Sequence, residues 1–361
     1  MPLLILNINI KGIENVSIND KDIKLSILDI GTKLQGSDVS QTLKASTERV
    51  QLAEELGYSR YWFAEHHNTA SQVSTSPDLM IAHAAAHTKK IRVGAGGIML
   101  PNHSPLKVVE DFSLLEALHP ARIDLGIGRA TGTDNLTAYA LRRSRESVMS
   151  YDFPEQFEEL LAFFQKNFPA DHPYSKIIPI PDSPSSSLIP DLYMLGSSTG
   201  GVEFAMNEGL GFVFASHLAP HLAIPVLQAY RRNFRPSTFM PEPKSILSTI
   251  LITAETDEEA NYLAGPVELY WARLHTGDIH SPFPTLEEAS KHVYSPNESM
   301  ARRQNKNRFI IGGIQTVGEK LRHLAKETMV DEVMIMEFYS DKTASQKAYR
   351  LLAKEFDLKS N

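Results

Sequence analysis

The 361-residue chain has no cysteine. That excludes disulfides, thiolate nucleophiles, cysteine-held zinc and iron–sulfur clusters. It has no basic excess either: 36 Lys and Arg stand against 43 Asp and Glu, a formal net charge of −7. A nucleic-acid backbone meets no attracting field, so nucleic-acid binding is not expected. There is no apolar run of the roughly 18 residues that a membrane-spanning helix needs. The short apolar stretch at residues 3–10 has no basic residue before it and no small-residue cleavage site after it. It does not read as a signal peptide, and a cytoplasmic protein is the expectation. Two motifs are also missing. There is no HExxH pair, and Gly126 and Gly128 are followed by Thr131 where a dinucleotide fingerprint needs its third glycine.

What is present is an alternation of short β-branched runs with longer amphipathic segments. Strands are expected at residues 25–30, 61–64, 91–100, 123–127, 192–195, 212–214, 245–253 and 332–336. Helices are expected between them, at 39–56, 77–87, 105–118, 135–147, 154–167, 201–207, 219–234, 258–274, 317–327 and 344–356. Gly57 follows the first helix as a stop, and Pro105 opens the third. Eight strands separated by helices imply a parallel sheet closed into a TM-free α/β fold, the TIM (β/α)8 barrel, with an open doubly wound sheet as the structural rival. Residues 182–187 form a Ser-rich connection. Residues 275–308 are polar and carry Pro282, Pro284 and Pro296. They read as a lid-like insertion before the last helix–strand unit, with periodicity only around 286–292. Residues 1–24 read as an N-terminal extension and 25–361 as one barrel domain.

A barrel concentrates function at the C-terminal ends of its strands. The residues there are polar or small. Asp29 ends the first strand. Glu65, His66 and His67 follow the second, and strand alternation sends only one imidazole into a pocket. Gly96 and Gly97 lie in the third. They clear space either for a flat ligand or for a tight barrel corner, and the sequence leaves both open. Arg129 follows the fourth strand. Ser197, Ser198, Thr199 and Gly200 follow the fifth, in a turn whose amides and hydroxyls suit a phosphate. The bland reading of that turn is a serine cap on a helix. Arg129 on the neighbouring strand, able to grip a phosphate with two N–H groups, favours the anion. His83 and His87, four apart on a helix outside the barrel, read as surface residues rather than metal ligands. Phe63, Met99 and Leu100 are apolar residues near the expected mouth.

Three runs carry a family resemblance. They are Gly57 to His67 (GYSRYWFAEHH), Ile91 to Pro105 (IRVGAGGIMLPNHSP) and Arg122 to Asp134 (RIDLGIGRATGTD), supported by Leu195 to Ser198 and Phe214 to His217. From about residue 25 to its end the chain resembles the bacterial luciferase-like flavin-dependent monooxygenases, in their non-luminous, single-chain branch. The resemblance implies a TIM barrel that uses reduced FMN and molecular oxygen to oxidise a small organic substrate through a C4a-peroxyflavin, and Phe63, Met99 and Leu100 near the mouth suggest that this substrate is apolar. It implies a separate flavin reductase and a homodimer formed through the helices flanking strands two to four. It matches His66 to the active-site histidine and Arg129 with Ser197, Ser198, Thr199 and Gly200 to the phosphate site. It sets the flavin ring against Gly96 and Gly97, joined by a non-prolyl cis peptide. Asp29 joins the cofactor-binding set by its place at the end of the first strand. Residues 277–308 match a lid. Gly128 stands where the luminous enzyme has a reactive cysteine, and Gly196 where it has an acidic residue. Two rivals remain: a deazaflavin-dependent hydride-transfer enzyme and a non-catalytic flavin-binding protein.

Overall fold

The strands are apolar, β-branched and short, and each finds a parallel neighbour. A computed structural model of the chain describes residues 23–144, 152–182, 188–278 and 280–359. Residues 1–22 of the expected N-terminal extension, the last residues of the helix expected at 135–147 and most of the Ser-rich connection at 182–187 lie outside the described residues. Within them run β1 (Lys24–Asp29), α1 (Val39–Glu55), β2 (Arg60–Phe63), α2 (Pro77–Ala86), β3 (Arg92–Met99), α3 (Pro105–Leu118), β4 (Ile123–Gly128), α4 (Asn135–Arg142) and α5 (Phe153–Gln165). They continue with β5 (Asp191–Gly196), α6 (Thr199–Glu208), β6 (Gly211–Ala215), α7 (Ala223–Asn233), β7 (Ser245–Ala254) and α8 (Asp257–His275). The chain ends with α9 (Leu286–Lys291), α10 (Pro296–Asn305), β8 (Phe309–Gly313), α11 (Ile314–Thr328), β9 (Glu332–Met336) and α12 (Lys342–Glu355).

Eight parallel strands close the barrel. β1 to β6 pair in sequence order, β6 pairs with β7, β7 with β9, and β9 with β1. The (β/α)8 expectation holds. The ninth strand is a difference from the sequence reading. β8 pairs only with the C-terminal half of β7, from Ile250 to Ala254, and stays out of the ring. The insertion also holds more order than its periodicity suggested. α10 is set by a capping box in which Ser295 and Glu298 satisfy each other's backbone amides. Phe283 anchors the insertion, buried against Tyr270 and Phe338 and bridged to Leu34.

Alternation along each strand makes two cores. Leu25, Ile27, Tyr61, Phe63, Val93 and Ala95 face the helices. Leu28, Trp62, Tyr193, Ile246, Ile250 and Met334 fill the barrel. Its N-terminal end is plugged by charge. Arg60 donates to Glu332 at 2.7 Å, to Asp124 at 2.9 Å and to the Tyr193 hydroxyl at 3.1 Å, and the Trp62 indole donates to Asp124 at 2.8 Å. Buried charges are tolerable there because each is paired. With that end closed, the C-terminal mouth is where a ligand can enter. On the outside, Leu79 of α2 and Leu114 and Leu118 of α3 are exposed, on helices that the resemblance assigns to dimer contact.

Candidate active site

The β3 and β4 glycines lie in close contact with neighbouring strands and with the barrel's filling. A Cβ on Gly94 would come within 2.6 Å of the Trp62 indole nitrogen, and one on Gly126 within 2.2 Å of the Ala95 carbonyl oxygen. A Cβ on Gly96 would meet Leu28 and Trp62. These glycines make room for the barrel's own filling. The Gly96–Gly97 peptide is cis, as the resemblance implied.

Glu65 is the structural centre of the mouth. It is 0% exposed. Its carboxylate accepts from the Met99 amide at 2.9 Å, from Asn102 Nδ2 at 3.2 Å, from His67 Nε2 at 2.9 Å and from His103 Nε2 at 2.9 Å. Burial alone would raise its pKa, but the His103 hydrogen bond and charge, with the Met99 amide and His67, hold it below the ordinary carboxylate value. One carboxylate thus pins the loops after β2 and β3. Asn102 also donates to the Thr131 carbonyl, and Asn68 to Asp134, which draws in the loop after β4.

His66 stands beside this hub in the opposite condition. Its amide donates to the Ser74 carbonyl at 3.0 Å, while its ring Nδ1 is sealed and has no partner. Burial lowers its pKa to about 4, against the pull of Glu65 and with the push of His67. The imidazole is therefore neutral at pH 7. His67, by contrast, is turned back onto Glu65.

Arg129 reaches from the end of β4 to the start of α6. Its Nη2 donates to Ser198 Oγ at 3.4 Å, and a Cβ on Gly200 would lie 2.8 Å from Nη1. Only a glycine lets the guanidinium sit so close. Ser198 is the N-cap residue of α6 yet makes no side-chain cap hydrogen bond. The serine-cap reading thus fails, and the first amides of α6 are left for another acceptor beside a cation. Ser197 and Thr199 flank that position.

Asp29 is not brought to this group. It faces α1, where its carboxylate accepts from Arg49 at 3.0 Å, from Tyr61 at 2.7 Å and from the Gly31 amide at 2.7 Å, with Ser46 as a further donor. Phe63 and Leu100 pack between barrel and helices rather than at the mouth. Met99 does face the mouth, its side chain lying against Gly128 and Gly132. His83 and His87 lie on the outer helix, bonded to Thr47 and to the His83 carbonyl.

Sequence reasoning met His217 only as the end of the Phe214–His217 run, without a role, and passed over Trp271 and Arg308. His217 lies two residues after β6, a strand-end position. It is 7% exposed, its Nδ1 is unpartnered, and burial and the Arg308 charge lower its pKa to about 4.

A parallel barrel with a sealed floor thus carries Arg129 beside the start of α6, and the unpartnered Nδ1 atoms of His66 and His217, at the C-terminal ends of its strands. The model of the luciferase-like monooxygenase family matches residues 24–332, and the chain belongs to that family. Protein YceB of Bacillus subtilis (strain 168) is 38% identical over 334 residues, covering 92% of this chain and 99% of that one. The N-acetyl-S-alkylcysteine monooxygenase of the same organism is 32% identical over 334 residues, covering 92% and 97%. The solved structure of apo-MsnO8 has a TM-score of 0.84 at 32% identity and covers 94% of this chain and 99% of that one.

Proposed function

We propose that the barrel mouth binds reduced FMN and that the enzyme uses it with oxygen to oxidise a small organic molecule. The observation that carries this reading is the pairing of Arg129 with the uncapped start of α6. That pairing fits a phosphate monoester, with Arg129, Ser197, Ser198, Thr199 and Gly200 as its holders. The flavin ring is assigned to the side of Gly96 and Gly97, near the sealed Nδ1 of His66.

Bound there, reduced flavin would supply the electrons that activate oxygen. The chain supplies the surroundings. His66, neutral, takes or shares a proton at Nδ1 beside the reacting atoms. Glu65 fixes the loop that carries it. The insertion over residues 275–308 excludes water, which would otherwise drain the reactive state. A separate reductase delivers the reduced flavin. The N-acetyl-S-alkylcysteine class named for the 32%-identical relative is the first to screen as substrate.

Anaerobic titration with reduced FMN, followed by oxygen in a stopped-flow cell, tests the proposal. The expected result is one-to-one binding that Arg129→Gln weakens by about tenfold or more, the loss of a charge-assisted contact. Oxygen should then give a transient flavin absorbance distinct from the oxidised and reduced forms. Preference for a deazaflavin, or FMN affinity that ignores Arg129→Gln, would overturn it.

A further inference from the structure

Among the buried polar atoms without a partner are the Trp271 indole Nε1 and the His217 ring Nδ1. An indole N–H can only donate. A buried donor left unpaired costs about 1–3 kcal/mol, and folded proteins keep few of them. The other tryptophan, Trp62, shows the ordinary state: its Nε1 donates to Asp124 at 2.8 Å.

The two orphan groups are held together. The His217 and Trp271 rings meet edge to face, with centroids 6.3 Å apart. Arg308, just before β8, locks both. Its Nη1 donates to the carbonyls of His217 at 2.6 Å and Leu218 at 2.9 Å, and its guanidinium lies 5.7 Å from the Trp271 ring centroid. His66 follows the C-terminal end of β2 and His217 that of β6, two parallel strands of one barrel, so the His217–Trp271 pair stands at the same end of the barrel as His66.

We infer that Trp271 and His217 form a substrate-binding pair for an oxygen acceptor, the carbonyl or carboxylate of the organic substrate, with Arg308 as the residue that positions both rings. The inference rests on the mouth being the oxygenation site and names the substrate class: organic acids and carbonyl compounds, rather than bare hydrocarbons. Trp271 Nε1 donates to the oxygen. The Arg308 cation behind the rings favours a carboxylate over a ketone. A hydrocarbon of the same length leaves Trp271 Nε1 unpaired, and a site built around a hydrogen bond discriminates strongly against a ligand that lacks it. An apolar substrate was the expectation from Phe63, Met99 and Leu100; of these, Phe63 and Leu100 pack in the outer core.

The test uses the two indole N–H resonances of the ¹⁵N-labelled full chain, with and without bound FMN. The probes are hexanoate, 2-hexanone and hexane. Hexanoate and 2-hexanone should move the Trp271 resonance downfield and leave Trp62 still, and hexane should not move it downfield. Trp271→Phe identifies the signal and should weaken hexanoate binding by roughly tenfold without changing FMN affinity. Arg308→Gln should weaken hexanoate more than 2-hexanone. The shift is read in the unaltered chain, so a misfolded variant does not decide the matter. An equal response to hexane, or no response to either oxygen compound, overturns the inference. So does a Trp271 shift on adding FMN alone to which the probes add nothing, since that gives the donor to the cofactor. Failure of the flavin reading would show separately, as absence of FMN binding in the same samples.

Discussion

Glu65 and His66 are adjacent in the chain and opposite in environment. Glu65 is saturated with donors, while His66 Nδ1 has none. A saturated carboxylate positions its neighbours, and a sealed, neutral imidazole without a partner awaits one. Replacing His66 by alanine should therefore leave FMN affinity within a factor of two or so while lowering turnover by about 10²–10⁴, the usual weight of a proton-transfer group. Flavin titration and oxygen-coupled product formation measure the two separately, and unchanged turnover would remove His66 from the chemistry. At this scale the sequence was half legible. Strand-end position picks out Glu65, His66, Arg129 and the serine turn. It cannot show that Glu65 collects donors from residues 34 to 38 positions away, because that needs the third strand folded beside the second.

The β3 and β4 strands are glycine-rich because Trp62 occupies the barrel interior they border. The contacts rank the glycines. A Cβ on Gly126 meets the Ala95 carbonyl oxygen at 2.2 Å, and backbone cannot step aside. A Cβ on Gly128 meets the Met99 sulfur at 2.6 Å and its methyl at 2.9 Å, the far end of a flexible side chain. Gly126→Ala should cost about 1–3 kcal/mol of stability as overpacking, whereas Gly128→Ala should stay within about 0.5 kcal/mol. Urea midpoints of the flavin-free variants decide it, and equal losses would show that barrel packing does not set these glycines. Strands and helices with a clear period were legible from the start. β8 was not: five residues, two of them glycine, after a polar stretch give alternation no length to register. α10 escaped for a related reason. Its sequence PNESMARRQN has almost no apolar face, and its start is fixed by the Ser295–Glu298 capping box.

Barrel closure was legible at the scale of the whole chain because eight alternating units leave few other topologies. The ionisation behaviour of the whole was not, since it depends on which histidines end up paired. Burial alone would lower the His103 pKa, but the Glu65 hydrogen bond and charge outweigh it, and the folded value lies above 6.5. The stability from that pairing is complete below the unfolded value of about 6.5 and is lost as pH rises through the folded one. His66 and His217 do the reverse. Burial lowers both to about 4, with Arg308 adding to the effect on His217. Between pH 6.5 and 4 the unfolded chain takes protons there that the folded chain refuses. Each such group removes on the order of a few kcal/mol across that window, at about 1.4 kcal/mol per pH unit. Below it, Glu65 loses its own contribution as the carboxylate protonates. Stability should therefore peak near pH 6.5 and decline on both sides. Urea midpoints measured from pH 4 to 9 should show this, with His217→Phe flattening the acid limb and His103→Gln the alkaline one. An acid limb with the same slope in His217→Phe would mean that this imidazole is already charged in the folded state, and its neutral role at the mouth would fall with it.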